Sequence, residues 1–289
     1  MHHFVADRAP GFAARLLVIA ASGLLLGAEA PAQGFLSSAP YVPTPQSTVD
    51  RMLELARVGP SDFVVDLGSG DGRIVITAAQ KFGARGLGVD IDQDLINLSR
   101  YRARSAGVAE RARFETEDLF EIDLRPATVL TLYLFRELNL KLRPRILEQL
   151  RPGARVVTHD WDMGEWEPDV QETIGAPDKP VGIDRNSKIF LWYVPAKVEG
   201  NWRLETALPG AREGTLAFTQ QFQRFEGGIE AGGARHAIAD GRARGTAVRF
   251  VVPSGAFAGT YEATVDGGQM RGEIQRAGAP AAKFTASRL

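Results

Sequence analysis

The sequence predicts an α/β protein: a mostly parallel sheet with helices on both faces, followed by a small antiparallel β domain, barrel or sandwich. Three observations predict it. Ahead of residue 198, strand-length apolar runs alternate with helical patterns, and that alternation demands crossover connections. About half of the 31 glycines fall after Val198, where short alternating runs are broken by glycine pairs. A glycine-rich turn over residues 66–73 follows a strand and opens a helix, so it sits at the carboxyl edge of the sheet, where open α/β folds bind ligands.

Composition narrows the function. Hydrophobic residues make up 44% of the 289 and charged residues 24%, the balance of a globular chain with a sizeable core. Thirty-four basic residues face 35 acidic ones, which argues against a nucleic-acid partner held by bulk positive charge. Without cysteine there is no disulfide scaffold, thiolate metal site or thiol nucleophile, and with four scattered histidines no metal centre is expected.

Residues 1–32 read as an address. Arg8 and Arg15 precede an apolar run over 16–28, too short to span about 30 Å of hydrocarbon but matching the core of a signal peptide. Ala30-Pro31-Ala32 is the better of two small-x-small cleavage sites, which predicts a mature chain beginning near Gln33 and export to the periplasm. An uncleaved membrane anchor, or a start codon set upstream of a cytoplasmic protein, are the other readings.

The α/β domain is expected over 40–197. Thr44-Pro45 reads as a helix start, Thr44 the N-cap and Pro45 the first helical residue, followed by Val49, Met52, Leu53 and Ala56 on one face. Strands are expected over 63–67, 86–91, 112–117, 128–134 and 155–159, with a late strand over 188–194 beside the fifth. Helices are expected over 73–82, 94–106 and 140–150, the last ended by Pro152-Gly153. The glycine-rich domain, 200–289, reads as about six antiparallel strands in a meander.

The turn Asp66-Leu67-Gly68-Ser69-Gly70-Asp71-Gly72-Arg73 carries the chemistry. It lacks the Gly-Lys-Ser/Thr of a P-loop, and Arg73 stands where a dinucleotide fingerprint has its third glycine. An acidic residue before the turn repels a pyrophosphate but suits a cation. S-adenosylmethionine carries an ammonium and a sulfonium and no phosphate. Asp90, ending the second strand beside Ile91, suits the two ribose hydroxyls. Asp118, after the third strand, suits an adenine amino group, with Leu119 against the ring. Each aspartate alone is more often a helix cap than a ligand; three in order after three strands form a pattern.

Residues 41–195 resemble class I S-adenosylmethionine-dependent methyltransferases. The segments Tyr41-Val42-Pro43-Thr44-Pro45, Asp66 to Ile74 and Gly153-Ala154-Arg155-Val156-Val157 resemble one branch more closely. It contains the mitochondrial protein-lysine methyltransferases of the ATP synthase c subunit and the adenine nucleotide translocase, with bacterial relatives. The resemblance implies a Rossmann-like, seven-stranded sheet. It also implies a cofactor site at Asp66, Gly68, Ser69, Gly70, Gly72, Asp90, Ile91, Asp118 and Leu119, and a lysine of a protein, membrane-associated in that branch, as acceptor. Tyr41 and Thr44 either close over the cofactor or merely pack and cap a helix.

The acceptor is expected at the ends of strands four and five. Tyr133 and Phe135 can wall a lysine channel, and Asn139 can accept from the amine. In His159-Asp160-Trp161-Asp162, His159 or Asp160 can take a proton or orient the acceptor, with Trp161 as a cation–π face. The Asn/Asp-Pro-Pro-aromatic motif of amide and base methylation is absent after strand four.

Overall fold

Alternating apolar side chains set the layers. Val64, Val129, Val157 and Ile189 face one side of the sheet, where they pack with Val49, Met52, Leu53, Ile74 and Ala78. Val65, Leu130, Val156 and Trp192 face the other, against Leu142, Ile146 and Trp166. A strand buried on both faces reads as a near-continuous apolar run, as the Val-Val and Val-Leu pairs here do.

The computed structural model describes residues 41–182 and 184–289; the leader expected over 1–32 lies outside the described residues. Helix α1 is Gln46–Leu55, β1 Phe63–Leu67, α2 Arg73–Lys81, β2 Arg85–Asp90 and α3 Gln93–Ser105. Then come β3 Ala112–Thr116, β4 Val129–Leu132, α4 Arg136–Gln149, β5 Arg155–His159, β6 Val170–Gly175 and β7 Asn186–Tyr193. The seven strands lie in the order β3-β2-β1-β4-β5-β7-β6. Strands β1 to β5 are parallel, β7 runs antiparallel beside β5, and β6 pairs antiparallel with β7. The strand order reverses between β1 and β4, which places the ligand crevice at their carboxyl ends.

Three local expectations change. Thr44 is not the helix cap: Pro45 holds that place, with no side-chain cap bond. The Thr44 hydroxyl instead lies 3.3 Å from His159 Nδ1. Helix α4 begins one turn before the expected 140 and carries Pro144 within it. The edge strand β6 gave no signal, because Val-Gln-Glu-Thr-Ile-Gly is half polar and is nowhere fully buried.

The tail is a closed barrel of eight strands, two more than the meander read from the sequence: β8 Gly200–Thr206, β9 Glu213–Gln221, β10 Arg224–Ala231, β11 Ala234–Arg244, β12 Ala247–Val252, β13 Gly259–Asp266, β14 Gln269–Gln275 and β15 Ala282–Arg288. Closure comes from β15 pairing antiparallel with β8, Phe284 opposite Thr206 through Arg288 opposite Trp202. Its interior is filled by Trp202, Phe218, Phe250, Tyr261 and Phe284; Phe250 and Tyr261 stack with centroids 4.5 Å apart. Such a barrel leaves no strand edge open. It meets the α/β sheet through Phe222 stacked on Trp166, Arg224 paired with Glu167, and Ala196 N donating to Gly245 O.

Candidate active site

The turn after β1 brings carboxylates together at the crevice. Asp66 is buried, and its Oδ1 accepts from the Thr131 hydroxyl at 2.7 Å. It has no cationic partner among the described residues. Burial, with Asp90 and Asp71 nearby, pushes its carboxyl up to about 7. Ser69 Oγ is buried with no hydrogen-bond partner among the described residues. Asp90 Oδ2 accepts from Gly70 N at 2.9 Å and Oδ1 from Asp92 N at 3.0 Å, while Asp92 caps α3. Ile91 is exposed beside them. Asp118 Oδ1 accepts from Phe120 N at 2.8 Å, shaping the loop in which Leu119 packs against the core.

Tyr41 to Thr44 form a strap over this turn. Gly70 lies directly under the Tyr41 ring: a Cβ there would stand 2.4 Å from Tyr41 Cε2. Asp71 is the anchor. Arg73 grips its carboxylate in a fork, Arg102 pairs with it from α3, and the Tyr41 phenol stands near it. Burial works against the Asp71 charge, but Arg73 and Arg102 outweigh it and hold the carboxyl below its ordinary range. Burial and the Asp71 charge push the Tyr41 phenol up to about 12. Arg73 Nη1 then donates to Thr44 O at 2.7 Å, tying the strap to α2.

At the ends of β4 and β5 the Tyr133 ring lies 3.9 Å from that of His159. His159 is fully buried; its Nε2 is 2.9 Å from Ser187 Oγ, which itself accepts from the Thr48 hydroxyl. Burial, opposed by Asp160, pushes the imidazole down to about 4. The Tyr133 phenol is pushed up to about 12 by burial and the Asp160 carboxylate. Asp160 adopts φ +62°, accepts from Lys188 N, and pairs with Lys179 Nζ at 2.7 Å. Phe135 and Trp161 stand 49% and 39% exposed, centroids 6.3 Å apart and edge to face.

Two of the expected acceptor residues make contacts within the fold. Asn139 is completely buried and donates through Nδ2 to Trp161 O and Asp162 O, at 3.2 and 3.4 Å, so it braces the loop after β5, while its Oδ1 is buried with no hydrogen-bond partner among the described residues. His159 has both ring nitrogens facing hydroxyls, and burial pushes its imidazole down to about 4, so it links the strap, β5 and β7. The Tyr133 phenol and the Asp160 carboxylate lie near one another at the ends of β4 and β5. The sequence reading missed Lys179, Ser187 and Thr48. Lys179 stands in Pro-Asp-Lys-Pro, which reads as an exposed turn, and its partner is nineteen positions upstream.

Comparison with known proteins then bears on the chemistry. Residues 66–170 match the family model described as the ANTKMT methyltransferase domain. A protein-lysine N-methyltransferase of Saccharolobus islandicus is 38% identical over 161 residues, covering 55% of this chain and 96% of that relative. The chain belongs to the class I S-adenosylmethionine-dependent methyltransferases. This methyltransferase is also 31% identical over 160 residues to the human lysine N-methyltransferase of the ATP synthase c subunit, 53% of this chain and 68% of that one. It is similar to the crystal structure of an RNA methyltransferase from Salinibacter ruber in complex with S-adenosyl-L-homocysteine: 50% identity, 54% of this chain, 96% of that chain, TM-score 0.49. Its cofactor is S-adenosylmethionine. The residues present fit that molecule: a buried carboxylate without a cation, an orphaned serine hydroxyl, and a Cβ-free floor at Gly70 under an aromatic ring.

Proposed function

We propose that this methyltransferase acts on the side-chain amine of a lysine in a protein, through residues 40–197, the barrel of 200–289 being a separate module. One observation carries the reading. The crevice has two unlike ends: a buried, uncompensated carboxylate at β1, and an exposed aromatic pair beside a carboxylate at β4 and β5. The first suits a cationic cofactor. The second suits a long aliphatic chain ending in nitrogen. The relatives named as protein-lysine N-methyltransferases support the same reading.

In this proposal Asp66 takes the cofactor's ammonium, Asp90 its ribose, and Ile91, Asp118 and Leu119 its adenine. The Gly68-Ser69-Gly70 backbone lies beneath it, Gly72 starts α2, and Tyr41 and Thr44 close over it. When bound, the cofactor supplies an electrophilic methyl on a sulfonium whose departure as a thioether needs no acid. The chain's contribution is alignment and exclusion of water. A lysine of pKa about 10.4 must shed its proton, at a cost of about 4.6 kcal/mol at pH 7. Neither the His159 imidazole, at about 4, nor the Tyr133 phenol, at about 12, is matched to take that proton at neutral pH. It therefore leaves to water as the amine enters its desolvated channel, and the Asp160–Tyr133 pair orients the nitrogen.

The test is incubation of the purified enzyme with methyl-labelled cofactor and a cell-envelope extract. Label recovered as N-methyl-lysine after acid hydrolysis of protein is the expected result. Label in RNA, in a low-mass fraction, or nowhere despite cofactor binding would overturn it.

A further inference from the structure

Lys179 is the one buried lysine among the described residues. It comes from the segment between β6 and β7. Its side chain is 8% exposed, and its ammonium donates to Asn186 O at 2.5 Å and pairs with Asp160 Oδ2 at 2.7 Å. Its backbone is fixed at both ends: Lys179 N donates to Ala176 O at 3.0 Å, and Arg185 Nη1 donates to Lys179 O at 2.6 Å. A buried ion pair is a poor stabiliser compared with an apolar pair of the same volume, so packing alone does not call for it.

Its partner is equally unusual. Asp160 sits in the left-handed region, strained for a residue with a Cβ, and is held there from two sides by the Lys188 backbone. Its side chain still keeps 19% exposure at the crevice. The groups facing it are Lys179 from the β6–β7 segment, the His159 ring from β5 at 3.5 Å, the Tyr133 hydroxyl from the end of β4, and the Lys188 amide from β7. Of these only Lys179 carries a charge at neutral pH.

A naked carboxylate at that spot would hold an incoming lysine as its ammonium, which has no lone pair to attack with. We propose that Lys179 is a positioning residue of the acceptor site, neutralising Asp160 so that the carboxylate orients the acceptor nitrogen by hydrogen bonding without trapping it in its protonated form. This rests on the lysine-acceptor reading above.

The two charges can be removed separately, with opposite consequences. With cofactor saturating and the lysine acceptor that the wild type labels, kcat and KM are measured from pH 6.5 to 10. Lys179→Met leaves Asp160 unopposed: KM falls, kcat falls about tenfold at pH 7.5, and the ascending limb moves up by about one pH unit. Asp160→Asn leaves Lys179 unopposed, and the limb moves down. Asn tolerates the left-handed backbone, and its Oδ1 can still accept from Lys188 N while the Lys179 ammonium keeps Asn186 O, so this variant carries the test if Lys179→Met does not fold. The double variant returns the limb to its wild-type position, and Lys179→Arg leaves it there. Coincident limbs in all variants, or single variants shifting in the same direction, would overturn the inference. A wild type that labels no amine would instead overturn the lysine-acceptor reading before any variant is made.

Discussion

Asp66 is where a single side chain links stability to binding. Its carboxyl sits at about 7 in the folded chain against 3.8 in an unfolded one, because burial and two neighbouring aspartates disfavour its charge. The proton is thus held more tightly in the fold, and this contribution to stability is full below pH 4 and lost as pH rises through about 7. At pH 8 the ionised Asp66 costs the ligand-free protein on the order of 4 kcal/mol. Asp66→Asn should therefore raise the melting temperature of the free protein at pH 8 and leave it nearly unchanged at pH 4, as calorimetric scans at the two values would show. Cofactor affinity should follow the opposite course. Pairing with an ammonium requires the carboxylate, so wild-type affinity should be about tenfold weaker at pH 6 than at pH 8, by titration calorimetry. Asp66 was legible in the sequence because an acidic residue before a glycine turn selects against phosphate. Lys179 was not, because nothing local to Pro-Asp-Lys-Pro shows that its ammonium folds back to a strand end.

At the scale of elements, two glycines of the same turn do different work. Gly72 caps α2 at φ +80°, and a Cβ there would stand 2.7 Å from both Phe114 Cζ and Ser99 Cβ, in the core between α2, α3 and β3. Gly70, at φ +53°, lies against the ring of Tyr41, which is 44% exposed at the surface rather than packed in the core. Left-handed strain costs about 1–2 kcal/mol at either place, and overpacking adds about 1–3 kcal/mol at Gly72 alone. Gly72→Ala should therefore appear chiefly as a lower denaturation midpoint. Gly70→Ala should displace the strap and weaken cofactor binding several-fold with a smaller loss of stability; equal losses of both in the two variants would contradict this division. The turn and the five parallel strands were readable because apolar runs and glycines announce themselves. The polar edge strand β6 and the early start of α4 were not, since tertiary pairing rather than local pattern makes them.

Across the whole molecule, two cores share one chain. The barrel core, led by Trp202, Phe250 and Tyr261, is separate from the clusters on the two faces of the sheet, and the family match ends at residue 170, before the barrel begins. Phe250→Ala should cost about 3–5 kcal/mol of barrel stability. Binding of S-adenosylhomocysteine should stay within twofold of the wild type, as denaturant unfolding and calorimetry on the same sample would establish. The composition shift marked the barrel's existence, but not its strand number. Interior positions such as Gly214 and Gly241 interrupt the alternation that would have counted the strands.

The seam between β8 and β15 sets an order of events at the ribosome. The barrel's first strand has no lasting partner on that side until its last one has been synthesised, whereas every strand of the sheet that carries the glycine turn has emerged by Tyr193. A nascent chain can thus finish its front half while the rear still waits for its zipper. A chain ending before β15 would leave two raw barrel edges, on β8 and β14, open to pairing with another such chain.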